Sequence, residues 1–274
     1  MKSSPETKSG PTSGPIEFDC SALSIDELVA LKGKLRVSIC IPARDEAATL
    51  GDVVAALRVP HLIESGGSGL VDEIVVVDDG SLDNTAEVAQ ASGAKVVTLA
   101  TGEGKGRAMR AGLKASCGDV VVFLDADVLN TTPEFVVKLV APLLTTPEIV
   151  LVKGFYVRPF NGSPSGGGRV TELLARPLIE LLFPHLRSIR QPLAGETAGR
   201  REALAKLEFA DGYGVEIALL IDTASKFGPG AIAQVDLGTR IHRNRPLDEL
   251  RPQALEILTA ALARSDVKLP DQRG

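Results

Sequence analysis

The sequence predicts an α/β fold, a parallel-core sheet flanked by helices, and three observations carry that prediction. From residue 34 onward, short apolar runs alternate with amphipathic segments. Four such runs, joined by helical crossovers, fall between residues 34 and 127, and strands linked in that way pair in parallel. Three of the runs end on polar clusters, at Ala43 to Glu46, Asp78-Asp79 and Asp125 to Asp127. In open α/β sheets ligands bind beyond the carboxyl ends of the strands, so these clusters are expected to share one crevice.

Each element has a local cause. "LRVSICIP" places Val37, Ile39 and Ile41 on one strand face and is expected to end at Pro42. "EAATLGDVVAALR" spaces Leu50, Val53, Val54 and Leu57 as the apolar stripe of a helix. "DEIVVVDDGS" reads as a buried parallel strand with its turn. "LDNTAEVAQASG" is a helix capped by Asp83 or Asn84 and stopped by Gly93. "AKVVTLA" and "DVVVFLDAD" are the third and fourth strands, and "GKGRAMRAGLKASCG" is the helix between them.

The second half is less regular. "TPEFVVKLVAPLL" is a helix with Thr132 as N-cap and Pro133 in its first turn. "EIVLVKGFYVRPF" is a strand running into a loop, and "NGSPSGGGR" is a flexible connection. "VTELLARPLIELLF" is a helix with a kink expected at Pro177. "VEIALLIDTASKFG" is helical, "AIAQVDLGTRIHRNRP" is a strand ending in a basic loop, and "DELRPQALEILTAALARS" is a closing helix.

Composition narrows the function. The 274 residues are 44% hydrophobic, enough for a sizeable core. Thirty basic against 35 acidic residues give a net charge of −5, which does not favour nucleic acid or an anionic membrane surface. Cys20, Cys40 and Cys117 are too few and too scattered for a disulfide framework or a zinc cluster and suit a reducing cytoplasm. The start, "MKSSPETKSGPTSGP", lacks an apolar core and reads as a disordered tail and not as a signal peptide. No apolar run is long enough for a transmembrane helix. A soluble cytoplasmic protein is expected.

The chemistry concentrates on Asp125-Ala126-Asp127. Alternation along a strand would put both carboxylates on one face, and two like charges side by side invite a divalent cation. Mg²⁺ or Mn²⁺ takes hard oxygen ligands, commonly one or two carboxylates plus phosphate oxygens. A helix cap or a surface turn is the plainer reading. Phosphatases of the haloacid-dehalogenase type also carry Asp-x-Asp after a strand, but here three βα units precede the motif.

Four other groups join it. Lys105 stands between glycines at a helix start, where exposed amides and an ammonium suit a diphosphate, although such loops are also ordinary turns. "SGGGRVT" offers glycines, Arg169 and Thr171 to an anion, or is only a linker. His242, with Asn244 close by, is a third metal ligand or an exposed histidine. Glu216 at a helix start also has a purely structural reading, as a complement to the helix dipole.

Taken as a set, "VSICIPARDEAATL", "DEIVVVDDGSLDNTAEVA", "GKGRAMRAGL" and "VVVFLDADV" resemble the nucleotide-sugar half of GT-A glycosyltransferases. "LVKGFYVRP", "GGGRVTELLARPL", "QPLAGE", "GYGVEIALLIDT" and "AIAQVDLGTRIHRNRPL" resemble the retaining glucosyl-3-phosphoglycerate synthase family, which also includes a mannosyl-3-phosphoglycerate synthase. The resemblance spans roughly residues 35 to 250. Composition and patterning along the chain give a disordered tail and a short helix over 1–33 and a disordered tail over 265–274. The resemblance implies a nucleotide-sugar half over 34–150 and a helical and mixed acceptor half over 151–264.

On the matching positions the resemblance implies that Pro42, Ala43, Arg44, Asp45 and Glu46 hold the uridine of UDP-glucose, with Asp79 and Lys105 contacting the nucleotide. Asp125 and Ala126 line that site, and Asp127 and His242 ligate Mg²⁺ or Mn²⁺. Gly168, Arg169, Val170, Thr171 and Asn244 receive 3-phosphoglycerate, while Tyr213, Gly214, Val215 and Glu216 face the sugar. Asp127, Lys105 and Glu216 are the expected catalytic residues. Arg44-Asp45 departs from the usual apolar residue and Asn, and Asp79 stands where the glucosyl enzymes often carry Ser. A homodimer is implied. The rival readings are a GDP-mannose enzyme, a polyprenyl-phosphate sugar transferase and a non-catalytic nucleotide-sugar binder.

Overall fold

The structure, a computed structural model, describes residues 14–21, 23–63, 68–100, 102–159, 168–241 and 247–267. The chain opens with β1 (Ile16–Glu17) and α1 (Ile25–Lys32). Ser24 caps α1 through a reciprocal pair with Glu27, whose carboxylate takes the Ser24 N–H while the Ser24 hydroxyl takes the Glu27 N–H. Four βα units follow: β2 (Val37–Ala43), α2 (Ala47–Leu57), β3 (Glu73–Asp78), α3 (Thr85–Ala91), β4 (Lys95–Thr98), α4 (Lys105–Ala115), β5 (Val120–Phe123) and α5 (Pro133–Thr145). Then come β6 (Leu151–Val157), a π-helical turn (Thr171–Ala175), α6 (Arg176–Leu182), β7 (Thr197–Arg200), α7 (Arg201–Leu204), α8 (Val215–Phe227), β8 (Ile232–Thr239) and α9 (Leu247–Leu262).

All eight strands form one sheet in the order β1-β8-β6-β7-β5-β2-β3-β4. Strand side chains alternate between two apolar layers. Ile39, Ile41, Ile74, Val76, Val120 and Val122 pack on one side; Cys40, Val75, Val77, Val121 and Phe123 pack on the other. A sheet buried on both faces is the three-layer form that near-continuous apolar strands require. The crevice follows from the strand order. After β2, the chain adds β3 and β4 on one side and then returns to place β5 on the other, a topological switch point.

Several expectations need correction. The sheet has a parallel core but is mixed: β7 runs antiparallel to both β5 and β6. β6 and β8 are again parallel, so they deliver their carboxyl ends to the edge served by β2, β3 and β5. Residues 16–17 form an unforeseen strand on β8. β2 continues through Pro42 to Ala43. Disturbance at Pro177 takes the form of the π-helical turn before it, since proline offers no N–H to the preceding turn. The predicted tails over 1–13 and 268–274, and residues 160–167 of the glycine-rich connection, lie outside the described residues.

Candidate active site

A cleft of about 310 Å³ opens at the carboxyl edge of the sheet, lined from β2, β3, β5, β6 and β8 and closed over by α9. Beyond β5 the chain leaves the sheet, so Asp125-Ala126-Asp127 lies in a turn and not on a strand as expected. The two carboxylates converge all the same, because both meet one guanidinium. Arg240 Nη2 donates to Asp125 Oδ2 at 2.6 Å and to Asp127 Oδ1 at 3.2 Å.

Two features of the fold bring Arg240 there. A bulge in β8, with Gly238 at φ +79°, shifts the register against β6 just before Arg240 and re-aims the strand end. Asn130 then staples that end to the β5 turn, its Nδ2 donating to Thr239 O at 2.7 Å and its Oδ1 accepting from Ile241 N at 2.8 Å. Arg240 is only 4% exposed. Its Nε lies 2.9 Å from Glu196 Oε1, out of line for a hydrogen bond, and the Glu196 carboxylate is fully buried. Burial alone would weaken the Arg240 charge, but Glu196, Tyr156, Asp125 and Asp127 together hold its pKa well above the ordinary value.

Lys105 completes the centre from the other side. Its Nζ is 2.6 Å from Asp125 Oδ1 and 2.6 Å from Glu216 Oε1. Burial opposes the ammonium, yet Asp125 and Glu216 raise its pKa above normal. The Asp125 carboxyl, which desolvation would push up, is held well below the usual carboxylate range by Lys105 and Arg240. The result is a chain of alternating charge, Glu216–Lys105–Asp125–Arg240–Glu196, in which each cation has carboxylate neighbours. Glu216 therefore reaches across to Lys105 from the first turn of α8 and is not merely a dipole complement.

Below the centre, the buried Lys153 ammonium of β6 donates to Ala194 O and to Thr197 Oγ1 at 2.9 Å, pinning the segment that carries Leu193, Gly195 and Glu196. The approach is close: a Cβ at Gly195 would stand 2.3 Å from the Asp125 carboxylate oxygens.

Most of the residues anticipated from sequence line the cleft: Pro42, Ala43, Arg44, Glu46, Asp79, Lys105, Asp125, Ala126 and Asp127 at one end, Gly168, Arg169, Val170 and Thr171 at the other, and Tyr213 and Glu216 between. Three anticipated residues do not. Asp45, at φ +54°, turns away; its Oδ1 accepts from Leu82 N at 2.7 Å and its N–H donates to Ser81, tying two strand-end loops together. Gly214 is packed under α9, where a Cβ would be 2.6 Å from that of Ala260, and Val215 is buried in the apolar core. His242 and Asn244 lie outside the described residues.

The loop before α4 also differs from its expected use. Both Asp79 oxygens accept from its amides, Glu103 N at 2.7 Å and Gly104 N at 2.9 Å, so those N–H groups are not free for a phosphate. Sequence reasoning missed Arg158, Lys153, Glu196 and Arg240. "QPLAGE" and "AIAQVDLGTRIHRNRPL" carry part of the family resemblance, but nothing local marks Glu196 or Arg240 as partners of an aspartate pair.

Over residues 38–207 the sequence matches the family described as Glycosyl transferase family 2. It is 47% identical over 258 residues to the glucosyl-3-phosphoglycerate synthase of Mycobacterium tuberculosis, covering 89% of this chain and 78% of that protein. This chain belongs to the glucosyl-3-phosphoglycerate synthases of that glycosyltransferase family. Solved structures agree in fold. The Mycobacterium tuberculosis synthase in complex with Mn²⁺, uridine-diphosphate-glucose and phosphoglyceric acid superposes with a TM-score of 0.84 at 45% identity, covering 94% of this chain and 89% of that one. The same synthase with Mn²⁺, uridine-diphosphate-glucose and glycerol 3-phosphate gives 0.83 at 44% identity, covering 94% and 90%. The family's α/β fold, expected from the resemblance, is therefore the fold observed.

The residues present suit a divalent metal of that kind. Among the described residues no group of three or more His, Cys, Asp or Glu could hold an ion on its own. Asp127, partly exposed at the cleft mouth, supplies one hard oxygen ligand. One carboxylate completed by diphosphate oxygens and water is a common Mg²⁺ arrangement. Asp125 is already engaged by Lys105 and Arg240, which leaves Asp127 as the ligand of the pair.

Proposed function

We propose that the protein transfers glucose from UDP-glucose to the 2-hydroxyl of 3-phosphoglycerate, with retention at the anomeric carbon. The observation that carries this reading is the cleft itself, which joins the Asp125–Asp127–Arg240–Lys105 centre to the Gly168–Thr171 segment in one continuous wall. In this reading UDP-glucose lies against Pro42, Ala43, Arg44, Glu46, Asp79, Asp125, Ala126 and Tyr213, and the acceptor against Gly168, Arg169, Val170, Thr171 and Asn244. Asp127 and His242 hold Mg²⁺ or Mn²⁺, which, when bound, neutralises charge on the diphosphate.

The chain's own groups do the rest. Lys105 keeps Asp125 ionised and places a cation near the departing phosphate. Glu216, fixed by Lys105, accepts from sugar hydroxyls. Asp125 and Glu216 are both neutralised in ion pairs, so neither is assigned as a covalent nucleophile. The acceptor oxygen bonds to the anomeric carbon on the face from which UDP leaves, and the acceptor proton passes to the departing phosphate oxygen.

The halves 34–150 and 151–264 act as donor and acceptor parts, although Glu216 and Arg240 of the second complete the donor centre of the first. No helix among the described residues is long and apolar enough to cross a membrane, which weighs against a polyprenyl-phosphate acceptor. A cytoplasmic homodimer completes the proposal; light scattering coupled to gel filtration tests the dimer.

The deciding experiment offers 3-phosphoglycerate with UDP-glucose, GDP-mannose and other sugar nucleotides, with Mg²⁺ or EDTA, and identifies products by mass spectrometry and NMR. A glucosyl-3-phosphoglycerate product that needs both UDP-glucose and metal supports the assignment. Preference for GDP-mannose, or no transfer at all, overturns it.

A further inference from the structure

The charged groups of the cleft divide into two kinds. Lys105 and Arg240 are each locked between carboxylates. Arg158, one residue beyond β6, is different. Its Nη2 donates to the Tyr156 hydroxyl at 2.7 Å and its guanidinium lies over the Tyr156 ring, 4.9 Å from the centroid. Among the described residues no carboxylate comes within ion-pair distance of it, and its buried Nε has no hydrogen-bond partner. A guanidinium held rigid on a cleft wall without a counter-charge is built to receive an anion.

Its position says which anion. The guanidinium sits against Gly168, where a Cβ would be 3.8 Å from Arg158 Nη1, at φ +77°. It therefore borders the Gly168–Thr171 segment on the side of the catalytic centre, close enough for its charge to reach Asp125. The proposed acceptor carries two anions at unequal distances from the reacting hydroxyl. Its carboxylate is bonded directly to the hydroxyl-bearing carbon, whereas its phosphate is one carbon and one oxygen further away. The outer segment, with backbone amides and Arg169, suits the three-oxygen phosphate. The inner, planar fork suits the carboxylate.

We propose that Arg158 binds the acceptor carboxylate and thereby selects a phosphorylated hydroxy acid over a phosphorylated alcohol. This rests on the acceptor assignment made above. The test measures binding of 3-phosphoglycerate and of glycerol 3-phosphate, which lacks the carboxylate, by calorimetry on the full chain with UDP and Mn²⁺ present. Arg158→Gln should weaken 3-phosphoglycerate about 10- to 100-fold, the range for losing a hydrogen bond to a charged group. Glycerol 3-phosphate and UDP affinities should stay within about twofold. Arg158→Lys, which keeps the charge and loses the fork, should lose an intermediate part of the same preference. Equal weakening of both acceptors in either variant, or an unchanged preference in both, overturns the proposal. Wild-type protein that binds both acceptors but forms no glucosyl product would sink the activity reading, while the binding ratio would still judge Arg158.

Discussion

The two ends of the cleft solve different electrostatic problems. At the Asp125 end, five charged side chains are buried or nearly so and neutralise one another, with Arg240 and Glu196 almost wholly removed from solvent. At the Gly168 end, Arg158 faces the cleft without a carboxylate among the described residues. Ions that already neutralise one another keep the site's geometry when no ligand is bound, because breaking any one pair strands its partner. An ion without a counter-charge stores affinity for a ligand to come. The difference separates groups that shape the catalytic centre from groups that recognise substrate.

The comparison is broken most severely at Arg240. Arg240→Met leaves Glu196 buried without a cation among the described ion pairs and Asp125 with Lys105 alone, and should cost about 3–5 kcal/mol of stability, read from denaturant unfolding. Arg158→Gln strands no described carboxylate and should cost only about 1 kcal/mol in the same measurement. Similar losses at the two arginines would erase the distinction.

Asp127→Ala comes next. It removes the more exposed member of the pair and should lower kcat by about two to three orders of magnitude with the fold intact, checked by activity against Mn²⁺ concentration and by circular dichroism. Near-normal turnover would remove the metal role.

Gly195→Ala probes how tightly the compensated end is packed. Its Cβ would fall 2.3 Å from the Asp125 oxygens. Overpacking of that kind should cost about 1–3 kcal/mol, and kcat should fall more than KM rises. An unchanged enzyme would show that the segment yields freely.

The smallest effect is one of pH. Burial lowers the Lys153 pKa to about 8, against partial opposition from Glu216. The folded protein then releases this proton near pH 8, while the unfolded chain keeps it until about pH 10.4. Between those values the unfolded state binds more protons, so this group makes stability rise with pH, by at most about 1.4 kcal/mol per unit. Wild type should accordingly gain stability relative to Lys153→Met from pH 8 to 10, as followed by thermal unfolding. A difference that is flat over that range would mean the ammonium is not desolvated.

The sequence by itself determined the layered α/β core, the crevice edge and most of the cleft lining. Those are local properties: apolar runs of strand length, helical stripes such as Leu50 to Leu57, and polar residues where strands stop. It also singled out Asp125 and Asp127, for a reason the structure replaced, since alternation along a strand does not apply to residues in a turn. Only the tertiary structure decided what neutralises them. Arg240 meets Asp125 across 115 residues, through the return of β8 beside β6, the bulge at Gly238 and the Asn130 staple. Glu196 arrives from the amino end of β7, the strand that runs against its neighbours, which is why a rule about carboxyl ends overlooked it. Periodicity reports which face a residue turns to its own element. Charge pairing depends on which distant strand lies alongside, and that is a property of the assembled sheet.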